Sequence, residues 1–263
     1  MDIANKSGIK RCFSRAAKIY DQHAFLQHKV ANQLLEYFLT HTPRPTHFPI
    51  LDLGCGTGYI LPKLRKIFPH ANILGVDLSE AQSLEASRKH PSILCGDFDA
   101  LPFPNHTFEV IFSSLSLQWS SHLLTSLQEI SRVLKPGGRL IFSTLGDGSL
   151  IELSQAKKRS NPELLESIIS PRFLPAAETA RHLTETNFEI LSEKRLSETF
   201  RFDHPLDVIR SLKSVGASHL DSGILTLSTK KTFERLCESY EQDSNGQYPL
   251  TYQVDYFMAV KDE

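Results

Sequence analysis

One stretch in the first third of the chain constrains its fold more than any other. Residues 49–53 form an apolar run with one aspartate, and three glycines spaced two apart follow it, Gly54, Gly56 and Gly58. The run predicts a short buried strand, and the glycines allow the backbone to turn tightly and approach a ligand closely. Residues 59–68 then predict a helix whose exposed first amides face that ligand. This order of elements opens a nucleotide-binding α/β domain.

Strands and helices alternate after this unit as far as residue 145. The local pattern predicts strands at residues 72–77, 92–94, 108–114 and 139–144, with helices at 80–90 and 123–134. Pro136 and the two glycines after it stop the second of these helices. Alternation at this density is typical of a parallel, doubly wound sheet.

Helices predominate outside this core. Residues 8–39 carry an apolar stripe at helical spacing, which predicts a helical lid segment that packs on the core or folds over its site. Beyond residue 145 the helices exceed what strand crossovers need, so we expect some of them to form a cap. The predicted helices lie at 150–158, 162–169, 176–186, 205–215 and 230–240, and the predicted strands at 188–200 and 248–260.

We therefore expect a single domain over residues 1–263. It divides into the lid segment at 8–39, a cofactor-binding core at 48–145, cap elements with the sixth strand at 146–247, and a final strand at 248–261.

The composition argues against several classes of partner. The 263 residues hold 29 lysines and arginines against 30 aspartates and glutamates, and the net charge of −1 gives no global attraction to nucleic acid or an anionic membrane. No apolar run approaches the roughly 18 residues of a membrane span, and no signal-peptide core follows the first residues, so we expect a cytoplasmic protein. The cysteines and histidines show no metal-binding spacing, which predicts neither a disulfide framework nor a metal site.

Two ligands are compatible with the glycine turn, a dinucleotide and S-adenosylmethionine. The dinucleotide fingerprint is G-x-G-x-x-G, whereas this turn is G-x-G-x-G with Asp52 two residues before its first glycine. A carboxylate at that place would repel a pyrophosphate and attract the ammonium and sulfonium groups of S-adenosylmethionine. The charge of Asp52 therefore favours S-adenosylmethionine as the ligand.

Two further acidic residues follow predicted strands and complete the expected cofactor site. Asp77 stands 19 residues after Gly58, close to the interval of about 20 at which such folds place an acid on the ribose hydroxyls. Asp97, with the backbone of Phe98, suits the adenine, because a carboxylate accepts a hydrogen bond from the exocyclic amine.

Residues 48–145, with the segment 133–138 before the fifth strand, resemble the class I S-adenosylmethionine-dependent methyltransferases. The resemblance implies a Rossmann-like sheet of seven strands with the last strand antiparallel, which residues 248–260 fit. The chain departs from the family at Gln82 and Ser83, where relatives often carry Met-Leu. We expect the cofactor to contact Tyr20, Gln27, Asp52, Gly54, Cys55, Gly56, Gly58, Asp77, Leu78, Asp97, Phe98 and Ser113.

A closer resemblance covers segments outside this core. Seven segments resemble the malonyl-acyl-carrier protein O-methyltransferase family of biotin synthesis: 13–21, 26–27, 117–119, 148–153, 172–175, 210–217 and 248–252. The resemblance implies methyl transfer to the free carboxylate of malonyl-acyl-carrier protein, giving the methyl ester that starts pimeloyl synthesis. One departure is Ser114, where many relatives have asparagine.

The implied nucleophile needs no general base, because an ordinary carboxyl titrates near pH ~4 and is ionised at pH 7. We therefore expect no acid or base catalyst, with Tyr20 positioned against the methyl group. A cation should hold the substrate carboxylate, and Arg210 and Lys213, one helical turn apart, are candidates. The predicted substrate-binding residues are Ser114, Gln118, Trp119, Phe173, Arg210, Lys213 and His219.

An acidic carrier protein would need a local basic patch on this chain. Residues 157–159, Arg172, Lys230 and Lys231 are candidates for it. Two alternatives stay open: a methyltransferase acting on another small carboxylic acid or a quinone-like ring, and a non-catalytic scaffold with the same fold. The intact Asp52, glycine turn, Asp77 and Asp97 speak against the scaffold.

Overall fold

A seven-stranded sheet organises the computed structural model, which describes residues 3–41, 48–160, 173–217 and 230–262. The strands lie in the order β3-β2-β1-β4-β5-β7-β6. Strands β1 to β5 pair in parallel, and β7 runs antiparallel to both β5 and β6. The predicted Rossmann-like sheet with an antiparallel last strand is confirmed. The bounds are β1 (Pro49–Leu53), β2 (Asn72–Asp77), β3 (Ile93–Cys95), β4 (Phe108–Ser114), β5 (Leu134–Leu145), β6 (Phe188–Phe202) and β7 (Tyr248–Lys261).

Helices cover both faces of this sheet. Within the described ranges they are α1 (Ile3–Ala16), α2 (Tyr20–His23), α3 (Phe25–His41), α4 (Leu61–Ile67), α5 (Glu80–Ser87), α6 (Leu123–Val133), α7 (Ile151–Ser160), α8 (Ala176–Glu185), α9 (Pro205–Ser214) and α10 (Lys230–Glu238). The segment predicted as helical at 8–39 covers α2 and most of α1 and α3. The helix predicted at 162–169 lies outside the described residues.

The central strands are buried on both faces, which explains their nearly continuous apolar sequence. Ile50 and Leu51 are neighbours in β1 and both are fully buried, Ile50 in one hydrophobic core and Leu51 in the other. The first core is closed by α3, α4, α7, α9 and α10. The second core is closed by α6 and α8. The chain is therefore a three-layer sandwich of helices, sheet and helices.

Strand β5 begins five residues earlier than the sequence pattern predicts. Leu134 pairs with Phe108 of β4. The register of the two strands then shifts between Phe108 and Val110, so that Val110 pairs with Arg139. Gly137, with φ of +70°, lies inside this irregular stretch. The glycine-containing segment was predicted as a turn before the strand, but it is a distorted part of the strand.

An ion pair between a buried carboxylate and a guanidinium side chain that is 38% exposed joins β6 to β7. Asp255 of β7 has a side chain only 1% exposed, and its two oxygens accept from Arg195 of β6, from Nε at 2.5 Å and from Nη2 at 2.8 Å. The hydrogen bonds to Asp255 raise the pKa of Arg195. Because a buried carboxylate is costly without a partner, this pair fixes the two strands at one register.

Candidate active site at the carboxyl edge of the sheet

Strand order brings the predicted site residues to one edge. The chain leaves β1 towards β2 on one side and returns to β4 on the other, so β1 and β4 flank the point where ligands bind in open α/β sheets. Asp52 lies near the carboxyl end of β1, Asp77 ends β2 and Ser114 ends β4.

Two adjoining cavities lie at this edge and share Tyr20, Gly54, Gly56 and Ser114. We call them the edge cavity and the Asp52 cavity. The edge cavity is also lined by Lys6, Ile9, Phe13, Asp77, Leu78, Gln82, Asp97, Phe98, Leu115, Ser116 and Trp119. The Asp52 cavity is also lined by Gln27, His28, Ala31, Asp52, Cys55, Thr57, Tyr59 and Ile60.

The first and third glycines of the turn are required, because neighbouring residues pack closely against both of them. Gly54 has φ of +72°, and a Cβ added there would lie 2.3 Å from Cβ of Ser116. Gly58 has φ of +77°, and its added Cβ would lie 3.0 Å from Cβ of Ala86 in α5. Any larger residue at either position would be strained and would clash. Gly56 lines both cavities, so the turn presents its middle backbone to a ligand.

Asp52 is the least satisfied acidic group at this edge. The residue is 2% exposed, and its Oδ2 atom has no hydrogen-bond partner among the described residues. Burial, and then the nearby charge of Asp77, raise the pKa of Asp52 to about 8. A bound ammonium group could donate the missing hydrogen bond and a sulfonium would add a favourable opposite charge, whereas a pyrophosphate would add like charge. The site therefore fits the predicted cationic ligand.

Asp77 is better satisfied because backbone amides hold both of its oxygens. Gly56 N donates to Oδ2 at 2.9 Å and Ser79 N donates to Oδ1 at 2.8 Å. Burial raises the pKa of Asp77 to about 6, although these two hydrogen bonds act in the opposite direction. The glycine turn and the start of α5 are thus oriented by one carboxylate, which lines the edge cavity beside Leu78.

Helix α1 lies over the edge cavity as a lid. Lys6 Nζ contacts Asp97 Oδ2 at 2.7 Å and Asp99 Oδ2 at 2.5 Å. The rings of Phe13 and Trp119 meet edge to face with centroids 5.0 Å apart. Burial by itself would lower the pKa of Lys6, but the two carboxylates raise it. The lid is therefore joined to the core by an ion-pair cluster at one end of the cavity and an aromatic contact further along.

Gln82 joins this lid to the cavity wall. The residue is 1% exposed, and its Nε2 donates to the Phe13 carbonyl of α1 at 3.3 Å. This contact orients the amide, and its Oε1 is buried without a partner among the described residues, in a side chain that lines the edge cavity. The role of Gln82 was not predicted, although its departure from the family's methionine was the available signal. Other lining residues that were not predicted include Lys6, Phe13, Leu115 and Ser116.

Tyr20 and Gln27, the two site residues predicted in the leading helical segment, both line cavities at this edge, and their predicted contacts with the cofactor stay predictions. Tyr20 lines both cavities, and burial together with Asp77 and Asp21 raises its pKa, so its hydroxyl stays protonated. Gln27 lines the Asp52 cavity.

Several other predicted residues lie away from the cavity walls. Ser113 is fully buried and its Oγ donates to the Leu53 carbonyl at 2.9 Å, an arrangement that ties β4 to β1. Gln118 donates to the Leu115 carbonyl at 2.8 Å, and Phe173 packs on the first hydrophobic core. Their predicted roles in binding remain predictions.

The predicted cations of α9 are not at the edge. Arg210 has a side chain 70% exposed and pairs with Asp207 at 2.9 Å, lining a separate groove. Lys213 is exposed on the same helix. His219 lies outside the described residues.

The predicted basic patch is only partly described. Lys157 is 7% exposed and burial lowers its pKa to about 7, so its side chain does not suit an exposed docking surface. Arg159 pairs with Glu241 at 2.9 Å. Arg172, and the side chains of Lys230 and Lys231, fall outside the part that the structure describes.

The described residues offer neither a membrane-spanning helix nor a metal-binding cluster. None of the helices in the described ranges has the length and apolar character needed to cross a membrane. In the same ranges, no cluster of three or more histidine, cysteine, aspartate or glutamate side chains is arranged to hold a metal ion.

Known proteins resemble this chain over its whole length. A family model described as "Methyltransferase domain" matches residues 51–142. The malonyl-acyl-carrier protein O-methyltransferase of Erwinia billingiae is 36% identical over 262 aligned residues, covering 97% of this chain and 98% of that protein. The biotin biosynthesis bifunctional protein BioHC of Saccharophagus degradans is 32% identical over 98% of this chain, but the chain spans only 47% of that protein's length.

Solved structures show the same fold at lower identity. One is the geranyl diphosphate C-methyltransferase of Streptomyces coelicolor, in complex with Mg²⁺, geranyl diphosphate and S-adenosyl-L-homocysteine. It aligns with a TM-score of 0.56 at 17% identity over 92% of this chain and 83% of that chain.

The Asp52 carboxyl should make stability depend on pH. Its pKa of about 8 in the folded chain exceeds the ordinary 3.8, so the folded state binds the extra proton between these values and loses stability as pH rises. Asp52→Asn should therefore stabilise the protein relative to wild type, with a gain that grows by roughly 3 to 5 kcal/mol from pH 4 to pH 8, since each pKa unit is worth about 1.4 kcal/mol.

Urea unfolding without cofactor at pH 5, 6.5 and 8.5 measures this difference, with exposed Asp262→Asn as the matched control. A difference between wild type and Asp52→Asn that does not change with pH would contradict the burial of an unpaired carboxyl at this position.

Proposed function

Because the chain belongs to the malonyl-acyl-carrier protein O-methyltransferase family, we propose that it transfers a methyl group from S-adenosylmethionine to the free carboxylate of malonyl-acyl-carrier protein. The product is the malonyl methyl ester that starts the pimeloyl branch of biotin synthesis. The structural observation that carries the proposal is the buried, unpartnered Oδ2 of Asp52 at the carboxyl edge, because it calls for a cationic ligand.

The cofactor, when bound, supplies an electrophilic methyl group. Asp52 would hold its cationic end, and Asp77, oriented by two backbone amides, would accept from the ribose hydroxyls. Gln82 Oε1, unpartnered and in the same cavity wall, offers a further acceptor. Asp97 is proposed to accept from the adenine amine, although Lys6 already contacts its Oδ2.

The remaining chemistry is positioning rather than proton transfer. The substrate carboxylate is ionised at neutral pH, and Tyr20, whose pKa is raised by burial, cannot serve as a base near pH 7. Tyr20 and Ser114 lie at the junction of the two cavities, where they would orient the substrate and exclude water. Trp119 closes the neighbouring wall through its contact with Phe13.

We also propose a docking surface for the carrier protein and a location for the reaction. An acidic carrier protein would dock on exposed basic residues, of which Lys158 is one, and the protein would act in the cytoplasm. The relatives described above give no support to methylation of a quinone-like ring or to a non-catalytic scaffold.

The reaction itself gives a direct test. Purified protein with S-adenosylmethionine and malonyl-acyl-carrier protein should add one methyl group to the carrier, seen by intact-protein mass spectrometry. At saturating concentrations of both substrates the rate should be flat from about pH 6 to pH 9, because no base has to be deprotonated. An unmodified carrier beside a methylated aromatic substrate would contradict the proposal, and a rate rising tenfold per pH unit would contradict its mechanism.

Gln82 gives a test of the cofactor site that is specific to this chain. Gln82→Met removes an acceptor from the cavity and the amide that holds α1, while keeping a side chain of similar length. We expect the Kd for S-adenosylmethionine to rise about 3- to 10-fold, the usual worth of one hydrogen bond, with faster amide exchange in α1. Leu84→Ala, a change of an exposed residue in the same helix, is the control. An unchanged Kd would remove Gln82 from the site.

A further inference from the structure

A groove separate from the two edge cavities opens where α9 faces the start of α3. Its volume is about 440 Å³, within the range of about 300–1,000 Å³ that small-molecule sites occupy. Its walls come from α2, α3, α9 and the ends of β6 and β7. We call it the α9 groove. Aromatic and aliphatic side chains form most of its surface, with a few polar groups that include Ser211 and Ser214.

The α9 groove adjoins the candidate active site. Gln27 lines both this groove and the Asp52 cavity, so the two spaces meet at one side chain. Beside it in the sequence, Leu26 is 6% exposed and Phe25 is 67% exposed, so the lining passes from buried to exposed residues. The groove therefore extends from the surface of the molecule to Gln27, at the wall of the Asp52 cavity.

The lining indicates the chemistry of an occupant. Phe200 and Tyr252 meet edge to face with ring centroids 6.0 Å apart, and Val215 is buried beside them, so the interior of the groove suits methylene and methyl groups. Arg210 and Asp207 pair at 2.9 Å on the exposed α9 surface. Phe25, which is 67% exposed, extends the apolar lining to the open side of the groove.

We propose that the α9 groove binds the pantetheine arm through which a carrier protein presents its malonyl group. This inference rests on the proposed function, and it states where the arm of the proposed substrate would lie on the protein. Such an arm is a flexible chain of methylene and amide groups with a thioester at one end and a phosphate at the other. The thioester end lies towards Gln27 and the Asp52 cavity, and the phosphate end lies at the surface, where the guanidinium of Arg210 faces it.

The assignment gives Arg210 a different role from the one expected from the sequence. Its exposed side chain, in a groove outside the cofactor cavities, suits the phosphate of the arm better than the carboxylate that must reach the methyl group. Part of the groove is apolar and open, so a second copy of the chain is the rival occupant, and the test below separates the two.

The test compares a long substrate with a short one that carries the same malonyl thioester. Malonyl-acyl-carrier protein has the whole arm, whereas malonyl-N-acetylcysteamine keeps only its last few atoms. Ser214→Trp narrows the groove, and Phe25→Ala removes its exposed rim. Each variant should lower the ratio of kcat/KM for the carrier substrate to kcat/KM for the short thioester by at least tenfold. Leu191→Ala, an exposed apolar residue of β6 outside the groove, should change this ratio less than twofold.

Thermal unfolding and the Kd for S-adenosylmethionine check that the variants are folded, and sedimentation velocity gives their assembly state. A ratio that stays at the wild-type value in both variants, while the wild type methylates both substrates, overturns the groove assignment alone. The same holds if Phe25→Ala converts a dimer to a monomer without moving the ratio, because the groove is then a self-association face. A wild-type protein that methylates neither thioester overturns the proposed function and this assignment together.

Discussion

The site depends on one constraint, a buried carboxyl group whose Oδ2 the fold leaves without a hydrogen-bond partner among the described residues. Asp52 lies in β1 between two neighbouring strands, so the sheet that fixes its position also removes it from water. Asp77, the next acidic residue at the same edge, adds like charge, and burial and this charge together raise the pKa of Asp52 to about 8. An arrangement that costs stability in the free protein is suited to recover that free energy when a cation binds.

The glycine turn and helix α1 surround the edge where this carboxylate lies, the turn with its backbone and the helix as a lid. The glycine turn is held between Ser116 and α5, with its middle amide donating to Asp77. Helix α1 then closes over the edge through contacts that come from far apart in the sequence, such as Lys6 with Asp97. The edge cavities and the α9 groove are separate parts of one surface. The proposed methyl-donor site is built from the carboxyl edge, and the proposed path for the acceptor from α3, α9 and the ends of β6 and β7.

The residues that could be predicted from sequence are those whose signal is local. Strands β1, β2 and β4 begin and end where the apolar runs do, and Asp52 and Asp77 were singled out because each lies at or near the end of such a run. The lid contacts were not predictable in this way, because Lys6 and Asp97 are 91 residues apart and no local pattern relates one to the other. Ser113 shows a limit of local patterns, since a small polar residue at a strand end suggested a ligand contact, and the pattern gave no sign that its hydroxyl donates to the Leu53 carbonyl. The start of β5 was misplaced because glycines inside a distorted strand resemble a turn.

Asp52 should be mostly protonated in the free protein and ionised when it holds the cofactor. Isothermal titration calorimetry of S-adenosylmethionine binding at pH 7, in buffers of different ionisation enthalpy, counts the protons released. Wild type should release a substantial fraction of a proton and Asp52→Asn should not, because burial holds the pKa of Asp52 at about 8 until a cation binds. Equal proton release by the two proteins, with equal affinity for the cofactor, would contradict the account.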